Sequence, residues 1–331
     1  MVRQGGSPSD IPEHSRPGRA RMAMRRPFWL LVAAVLLCLA YGCSGDDGGY
    51  VDFSKPTPAG VQGGDKAAAG QRPLRLAVAS VSSPGETIKS LRTIAEALSR
   101  RTGRQIVLVQ RKTYAEVNLL LANDDADIAF VSTGAYSAYR GQAPIDVLVM
   151  TEFQGSATYD AQLIVPADSP ARSLEDLQGK VFAFTDPLSF SGHMAVMDAL
   201  RRLGSSPERH FSRYFYTSSH DRAIQAVASR IADGASIDNQ ILDVAIQKMP
   251  ELANKVRVVA TLGVNPSGPV VAAAGLDPRL KDALRDIFLD LHRDPAQAEA
   301  LRTLAISRFT PPVPGAYDAL RALYDRIGGF L

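Results

Sequence analysis

Cysteine is almost missing from this chain: of 331 residues only Cys38 and Cys43 carry a thiol, and none follows position 43. The body therefore holds no internal disulfide and offers no thiol nucleophile. Aromatic residues are sparse at 7%, with a single tryptophan, while Gly and Pro stay well below the levels of fibrous or low-complexity chains. The five histidines (14, 193, 210, 220 and 292) show no ligand-like spacing, so neither a metal site nor a cofactor is expected. Also missing are a phosphate-loop G-x-x-x-x-G-K, a G-x-G-x-x-G after a strand, a G-x-S-x-G elbow and an H-E-x-x-H pair. Without any of these, the chain is expected not to be an enzyme.

A strong charge of either sign is lacking too. The formal net charge is +3, but residues 1–26 hold six Arg against Asp10 and Glu13, a local +4 that leaves −1 on the remainder. Nucleic-acid binding needs a clustered cationic face and is not expected. An anion bound by such a body must be held by local groups rather than by a global field.

What is present begins with an export pattern. Arg25 and Arg26 precede an apolar run at 28–41 that is short for a bilayer span and is followed at once by a polar Gly/Asp stretch. This is the core of a signal peptide. The run closes on Leu39-Ala40-Tyr41-Gly42-Cys43, which resembles the lipobox of bacterial lipoproteins and makes Cys43 the candidate lipidation site. An incidental cysteine behind an ordinary signal peptide is the alternative. Residues 44–72 are Gly, Asp, Ala, Lys and Pro with almost no large apolar side chains, the composition of a flexible tether.

The 46% hydrophobic content is enough for a sizeable core in two domains. Short apolar runs alternate with helical periodicity: a strand at 74–79, Ile88, Leu91, Ile94 and Leu98 at helical spacing up to Gly103, a strand at 106–109, a helix near 114–121, a strand at 127–131 and a strand at 147–151. A second series follows. Residues 173–176 have capping-box spacing, and strands near 181–184, 214–217, 235–237 and 256–262 alternate with helices near 192–203, 221–230 and 241–247. A strand at 270–274 and three helices from about 279, 295 and 315 complete the chain. Alternation of this kind predicts an α/β architecture with mixed, mostly parallel sheets flanked by helices.

Three strand-to-helix junctions could carry chemistry. Asp186-Pro187-Leu188-Ser189-Phe190-Ser191-Gly192-His193 places hydroxyls at a helix N-terminus, where free N–H groups and the helix dipole favour an anion. A plain helix cap uses the same residues. Thr217-Ser218-Ser219-His220-Asp221 repeats the pattern, with Asp221 either a capping carboxylate or an acceptor for a protonated oxygen. Ser132 and Thr133 end a strand in the first unit, and Tyr136 follows them as core or cleft wall. In open α/β sheets ligands collect at the carboxyl ends of strands, so these junctions could share a pocket.

Together these residues carry a resemblance. From about Leu74 to Ile327 the chain resembles the phosphate/phosphite/phosphonate-binding proteins of ABC importers, a family with the type II periplasmic binding fold. Tyr114, Asp127-Ile128-Ala129, Tyr136, the D-P-x-S-x-S-G junction and His220-Asp221-Arg222-Ala223-Ile224-Gln225-Ala226-Val227 match that family in order and spacing. The resemblance implies that Ser189, Ser191 and the backbone of Gly192 hold the oxyanion, that Asp221 accepts from its protonated oxygen, and that Tyr114 and Tyr136 line the cleft. Ser132 and Thr133 would approach from the facing lobe, with His220 alongside. One position departs: a Thr of the family's motif is Phe190 here, which removes a hydroxyl and adds a ring turned either into the core or toward a ligand's carbon substituent.

The expected organisation is a signal peptide with lipobox at 1–43, a linker at 44–72, lobe 1 at 73–158 and 264–331, and lobe 2 at 159–263. The hinge would consist of two crossings near 158–163 and 263–269. The expected partners are a small oxyanion, the permease and ATPase of an ABC importer, and a membrane reached through a lipid anchor, with the chain itself a monomer. An extracytoplasmic sensor module, and less so a secreted phosphatase, are the rival readings.

Overall fold

The computed structural model describes residues 57–58, 72–79 and 84–327. The expected signal peptide with Cys43 lies outside them, as does nearly all of 44–72. The chain lays down β1 (Thr57–Pro58), β2 (Leu74–Ala79), β3 (Ile106–Arg111), β4 (Ile128–Phe130) and β5 (Ile145–Glu152), then leaves that sheet. It builds a second sheet from β6 (Thr158–Pro166), β7 (Val181–Phe184), β8 (Arg213–Tyr216), β9 (Gly234–Asp238) and β10 (Val256–Pro266). It then returns for β11 (Pro269–Ala273) and β12 (Arg308–Thr310).

The first sheet has the order β1-β3-β2-β4-β11-β5-β12 and the second β10-β6-β9-β7-β8. Parallel pairing joins β3, β2 and β4 in one and β9, β7 and β8 in the other, where helices carry each crossover. The strands next to the crossings, β6, β10, β11 and β5, pair antiparallel, so both sheets are mixed. Helices α1 (Pro84–Thr102), α2 (Tyr114–Ala122), α3 (Thr133–Ala138), α4 (Ala195–Arg202), α5 (Pro207–His210), α6 (His220–Ala228), α7 (Asn239–Lys248), α8 (Pro278–Asp290), α9 (Pro295–Thr303) and α10 (Asp318–Ile327) flank the sheets.

The structure departs from the sequence patterning in three places. The stretch 158–163 is no crossing: it opens β6, which alternates inward Tyr159, Ala161 and Leu163 and pairs with β10 along its whole length. The chain passes between sheets at 153–157 and again at 267–268. Ser173 caps nothing, since the short 3₁₀ turn Glu175–Leu177 starts without a side-chain cap and Asp176 instead accepts from the Arg172 N–H at 2.8 Å. Within the tether, Thr57 and Pro58 pair with β3, whose outer edge offers unpaired ladder groups.

Asp127 explains itself as architecture. Its carboxylate accepts the Arg72 guanidinium through both oxygens, at 2.9 and 2.7 Å, and the Arg75 N–H at 2.7 Å. Burial pushes this carboxyl up, but the Arg72 and Arg75 hydrogen bonds outweigh it and hold the group below the ordinary carboxylate range. One apolar cluster lies between β2–β4 and α1, α8 and α9. Another is shared by elements of both sheets, joining Tyr114, Val117 and Val131 to Leu188, Phe190 and Met194.

Candidate functional site

A cavity of about 150 Å³ opens where strand ends of the two sheets meet. From the first sheet it is lined by Val78, Ser132 and Thr133, from the second by Ser189, Ser191, His220 and Asp238, with Tyr114 and Tyr159 between. Six sequence-derived candidates thus come together: Ser132, Thr133, Ser189, Ser191, His220 and Tyr114. No Lys or Arg lines it among the described residues.

Each junction aims its hydroxyls by a local rule. Ser132 caps α3, its Oγ accepting the Ala135 N–H at 3.2 Å, and Ser189 caps the next turn, its Oγ accepting the Gly192 N–H at 3.0 Å. A cap serine spends a lone pair on the helix and keeps its own hydrogen to donate. The turn Phe190–Met194 is π-helical rather than α-helical. Widening of this kind recurs at functional sites because it re-aims side chains. Here Ser189 and Ser191 reach the cavity while the intervening Phe190 points away from it. Ser191 Oγ is buried with the Tyr159 hydroxyl against it and makes no other hydrogen bond among the described residues, so it keeps hydrogen-bonding capacity for a ligand. Thr133 donates its hydroxyl to Pro266 O at 2.9 Å, which ties α3 to the end of β10.

At the third junction Ser218 takes φ 63°, a left-handed conformation uncommon for a residue with a Cβ. The sharp turn brings His220, first residue of α6, onto the cavity wall. Its Nδ1 accepts the Asp238 N–H at 3.2 Å. Burial pulls its pKa down to about 4 against a weaker opposing pull from Asp221, so the ring is neutral at physiological pH. With Nδ1 accepting, the proton sits on Nε2, and the ring is a donor.

Two titratable cavity residues were not among the sequence candidates. Tyr159 lay hidden in the supposed hinge; it is fully buried, which raises its phenol well above the ordinary range, and the Thr133 and Ser191 hydroxyls lie against its oxygen. Asp238 ends β9 and caps α7, with Oδ1 accepting the Gln240 N–H at 2.8 Å. Burial pushes this carboxyl up to about 7 despite the backbone N–H groups of Gln240 and Ile241. The signal that could have found it was the one used elsewhere: a strand giving way to a helix at a residue with a short polar side chain.

Four candidates stand elsewhere. Phe190 packs edge-to-face on Tyr159, ring centroids 5.8 Å apart, inside the shared apolar cluster, so its ring gains more from burial than it would in a polar pocket. Gly192 offers no free donor, since its N–H serves the Ser189 cap; a Cβ there would meet Thr185 Oγ1 at 1.8 Å, so its role is close packing. Asp221 follows His220 on α6, a rotation of about 100° that carries it off the wall His220 occupies. Tyr136 is held edge-to-face by Tyr317 at 4.8 Å and borders a separate cavity with Val147 and Arg321. His193 is core as well, bonded through Nδ1 to Pro187 O and through Nε2 to the Tyr216 hydroxyl.

Contacts between the two sides keep the cavity narrow. The Tyr114 N–H donates to Asp186 Oδ2 at 3.1 Å, and Asp186 also receives the Leu188 N–H. Burial raises the Asp186 carboxyl above its ordinary value, against those two hydrogen bonds. Gly134 approaches so closely that a Cβ would lie 2.2 Å from Leu188 O.

Comparison with known proteins places the family and the fold. Residues 76–317 match the family described as ABC transporter, phosphonate, periplasmic substrate-binding protein. The phosphonates-binding periplasmic protein of Escherichia coli (strain K12) is 28% identical over 159 residues, 47% of this chain and about half (47%) of that relative's length. A phosphate-import protein, PhnD, of Mycolicibacterium smegmatis is 24% identical over 268 residues, 77% of this chain and 79% of that one. Among solved structures, a binding-protein component of an ABC phosphonate transporter from Pseudomonas aeruginosa superposes with TM-score 0.71 at 24% identity, covering 78% of this chain and 87% of that one. PhnD1 from Prochlorococcus marinus, in complex with methylphosphonate, superposes with TM-score 0.69 at 16% identity, covering 77% and 97%. The shared architecture is the type II periplasmic binding fold.

Proposed function

Because the chain belongs to the family of periplasmic, phosphonate-type substrate-binding proteins of ABC transporters, we propose that its cavity captures a tetrahedral phosphorus oxyanion and presents it to the permease and ATPase of an importer. One observation carries this: hydroxyls from strand ends of both sheets, Ser132 and Thr133 against Ser189 and Ser191, converge on one cavity that no Lys or Arg lines among the described residues. The serine hydroxyls keep a hydrogen for an anion that accepts from them, while the Thr133 hydroxyl, donated to Pro266 O, would have to turn to join them. The His220 Nε2–H adds another donor, and the Asp238 carboxyl is the acceptor for a P–OH hydrogen, penalising species with no proton to give.

Capture would proceed by movement of two lobes, residues 73–158 with 264–331 and residues 159–263, about the crossings at 153–157 and 267–268. A ligand touching both lobes stabilises the closed form over the open one. Bond chemistry has no place in this reading. The lipobox-like sequence supports attachment to a membrane through a lipidated Cys43, and in this reading the chain acts as a monomer. Replacing Cys43 with Ala is expected to release the chain from the membrane fraction.

The test is isothermal calorimetry of the purified chain with phosphate, phosphite, methylphosphonate and 2-aminoethylphosphonate. Saturable binding of at least one, lost when Ser189 and Ser191 are both replaced by Ala, is the expected result. Binding to none of them overturns the proposal.

A further inference from the structure

The cavity is larger and less polar than a bare oxyanion requires. Its volume of about 150 Å³ is at least about ten times the roughly 10–15 Å³ that admits one water, whereas phosphate and phosphite have only five or fewer heavy atoms. Beyond the serines and His220, the wall carries Val78, Leu91, Phe130, Leu304, Ala305 and Ile306, with the neutral side chains of Thr87, Thr151 and Thr303 among them. This wall is preformed. Phe130 is wedged edge-to-face between Phe288 and Phe309, at 6.0 and 6.1 Å, while Leu91 and Ile306 are buried in the cluster beneath it.

Charge is as telling as shape. Asp238 is the only acidic side chain on the wall among the described residues, one of its oxygens is already engaged by the Gln240 N–H, and its own N–H binds it to His220 beside the hydroxyls. An ammonium reaching past the oxyanion would meet methyl groups, an aromatic ring and neutral hydroxyls but no second carboxylate, and a charge taken from water without an opposite charge is disfavoured. An alkyl or aryl group there would gain by leaving water.

We infer that the preferred ligand is an alkyl- or arylphosphonate, its oxyanion on the hydroxyls and its uncharged substituent against the Leu91, Phe130, Leu304 and Ile306 wall, ahead of inorganic phosphate, phosphite or an aminoalkylphosphonate. This inference rests on the oxyanion reading of the cavity. It names the part of the ligand that reading leaves open.

Calorimetry of the purified chain with methyl-, ethyl-, propyl- and phenylphosphonate, and with 2-aminoethylphosphonate, tests it. Affinity is expected to climb about fourfold with each added methylene, the equivalent of about 0.8 kcal/mol per CH₂. 2-Aminoethylphosphonate is expected to bind at least about tenfold more weakly than propylphosphonate, its near isostere. Replacing Leu304, a partly exposed wall residue, with Ser is expected to lower propylphosphonate affinity several-fold while leaving methylphosphonate within about twofold. The alkyl series needs no variant, so it decides the matter even where Leu304→Ser folds poorly. Methylphosphonate binding with a flat or falling series, or 2-aminoethylphosphonate binding more tightly than propylphosphonate, overturns the inference while the oxyanion reading stands. Binding of no phosphorus compound at all overturns both.

Discussion

The Asp238 N–H donates to Nδ1 of His220 at 3.2 Å, so a β9–α7 junction dictates which nitrogen of a cavity histidine carries the proton. Replacing His220 with Phe removes the Nε2–H and orphans a buried backbone donor. Ligand affinity is expected to fall by about 1–3 kcal/mol. His220→Asn, whose Oδ1 can accept where Nδ1 does, should recover the lost fold stability but not the affinity. Calorimetry and urea denaturation read the two effects separately.

Ser191 makes the complementary case. Its Oγ is buried with only the Tyr159 hydroxyl against it, so Ser191→Ala removes a group the fold uses little. Unfolding free energy should stay within about 0.5 kcal/mol of the parent or rise, while binding weakens by about 1–3 kcal/mol. A loss of stability equal to the loss of affinity would assign Ser191 to the fold instead.

Asp238 sets a pH dependence of known sign. Its carboxyl ordinarily titrates near 3.8, and burial raises it to about 7 in the folded chain. Below the ordinary value both states are protonated and its contribution is fully present. As pH rises, the unfolded chain releases the proton first, so stability is lost progressively until pH passes about 7. Asp238→Asn keeps a capping side chain but cannot ionise. Its stability relative to the parent should therefore improve by on the order of 3 kcal/mol between about pH 5 and pH 8, measured by urea titration at each pH.

The buried histidines pull the other way. His193 and His220 titrate ordinarily near 6.5 and are lowered to about 4, chiefly by burial. Their contribution is complete above pH 6.5 and is lost as acid protonates the unfolded chain first. His193→Gln removes one share without touching the cavity. Relative to the parent it should gain about 2 kcal/mol on going from about pH 7 to pH 5; a difference that does not change with pH would contradict a neutral buried His193.

Gly134 tests closure. A methyl at this position would sit 2.2 Å from Leu188 O and 2.8 Å from the Phe190 N, both across the cavity from α3. Gly134→Ala is expected to hold the two sides apart and weaken ligand binding by at least about tenfold. Small-angle scattering with saturating ligand should then show less compaction than the parent does.

Alternating apolar runs and three polar junctions were readable along the chain because each depends on neighbours in sequence. The Thr113-to-Glu116 capping box before α2 and the caps at Ser132 and Ser189 are of this kind. So was the D-P-x-S-x-S-G pattern, whose close packing demands glycine at 192 against Thr185. Pairing partners were not readable. β6 looks like a crossing until β10, some ninety residues later, supplies its ladder, and the antiparallel half of each sheet depends on such distant registers. Tertiary structure alone decided which side chains face the cavity: one step along α6 separates His220 from Asp221, and a π-turn sends Phe190 to the core between two serines that stay outside it. Tyr159 and Asp238 entered the site the same way, because burial, and the pKa it imposes on a carboxyl, is a property of everything packed around a residue and not of its neighbours in the chain.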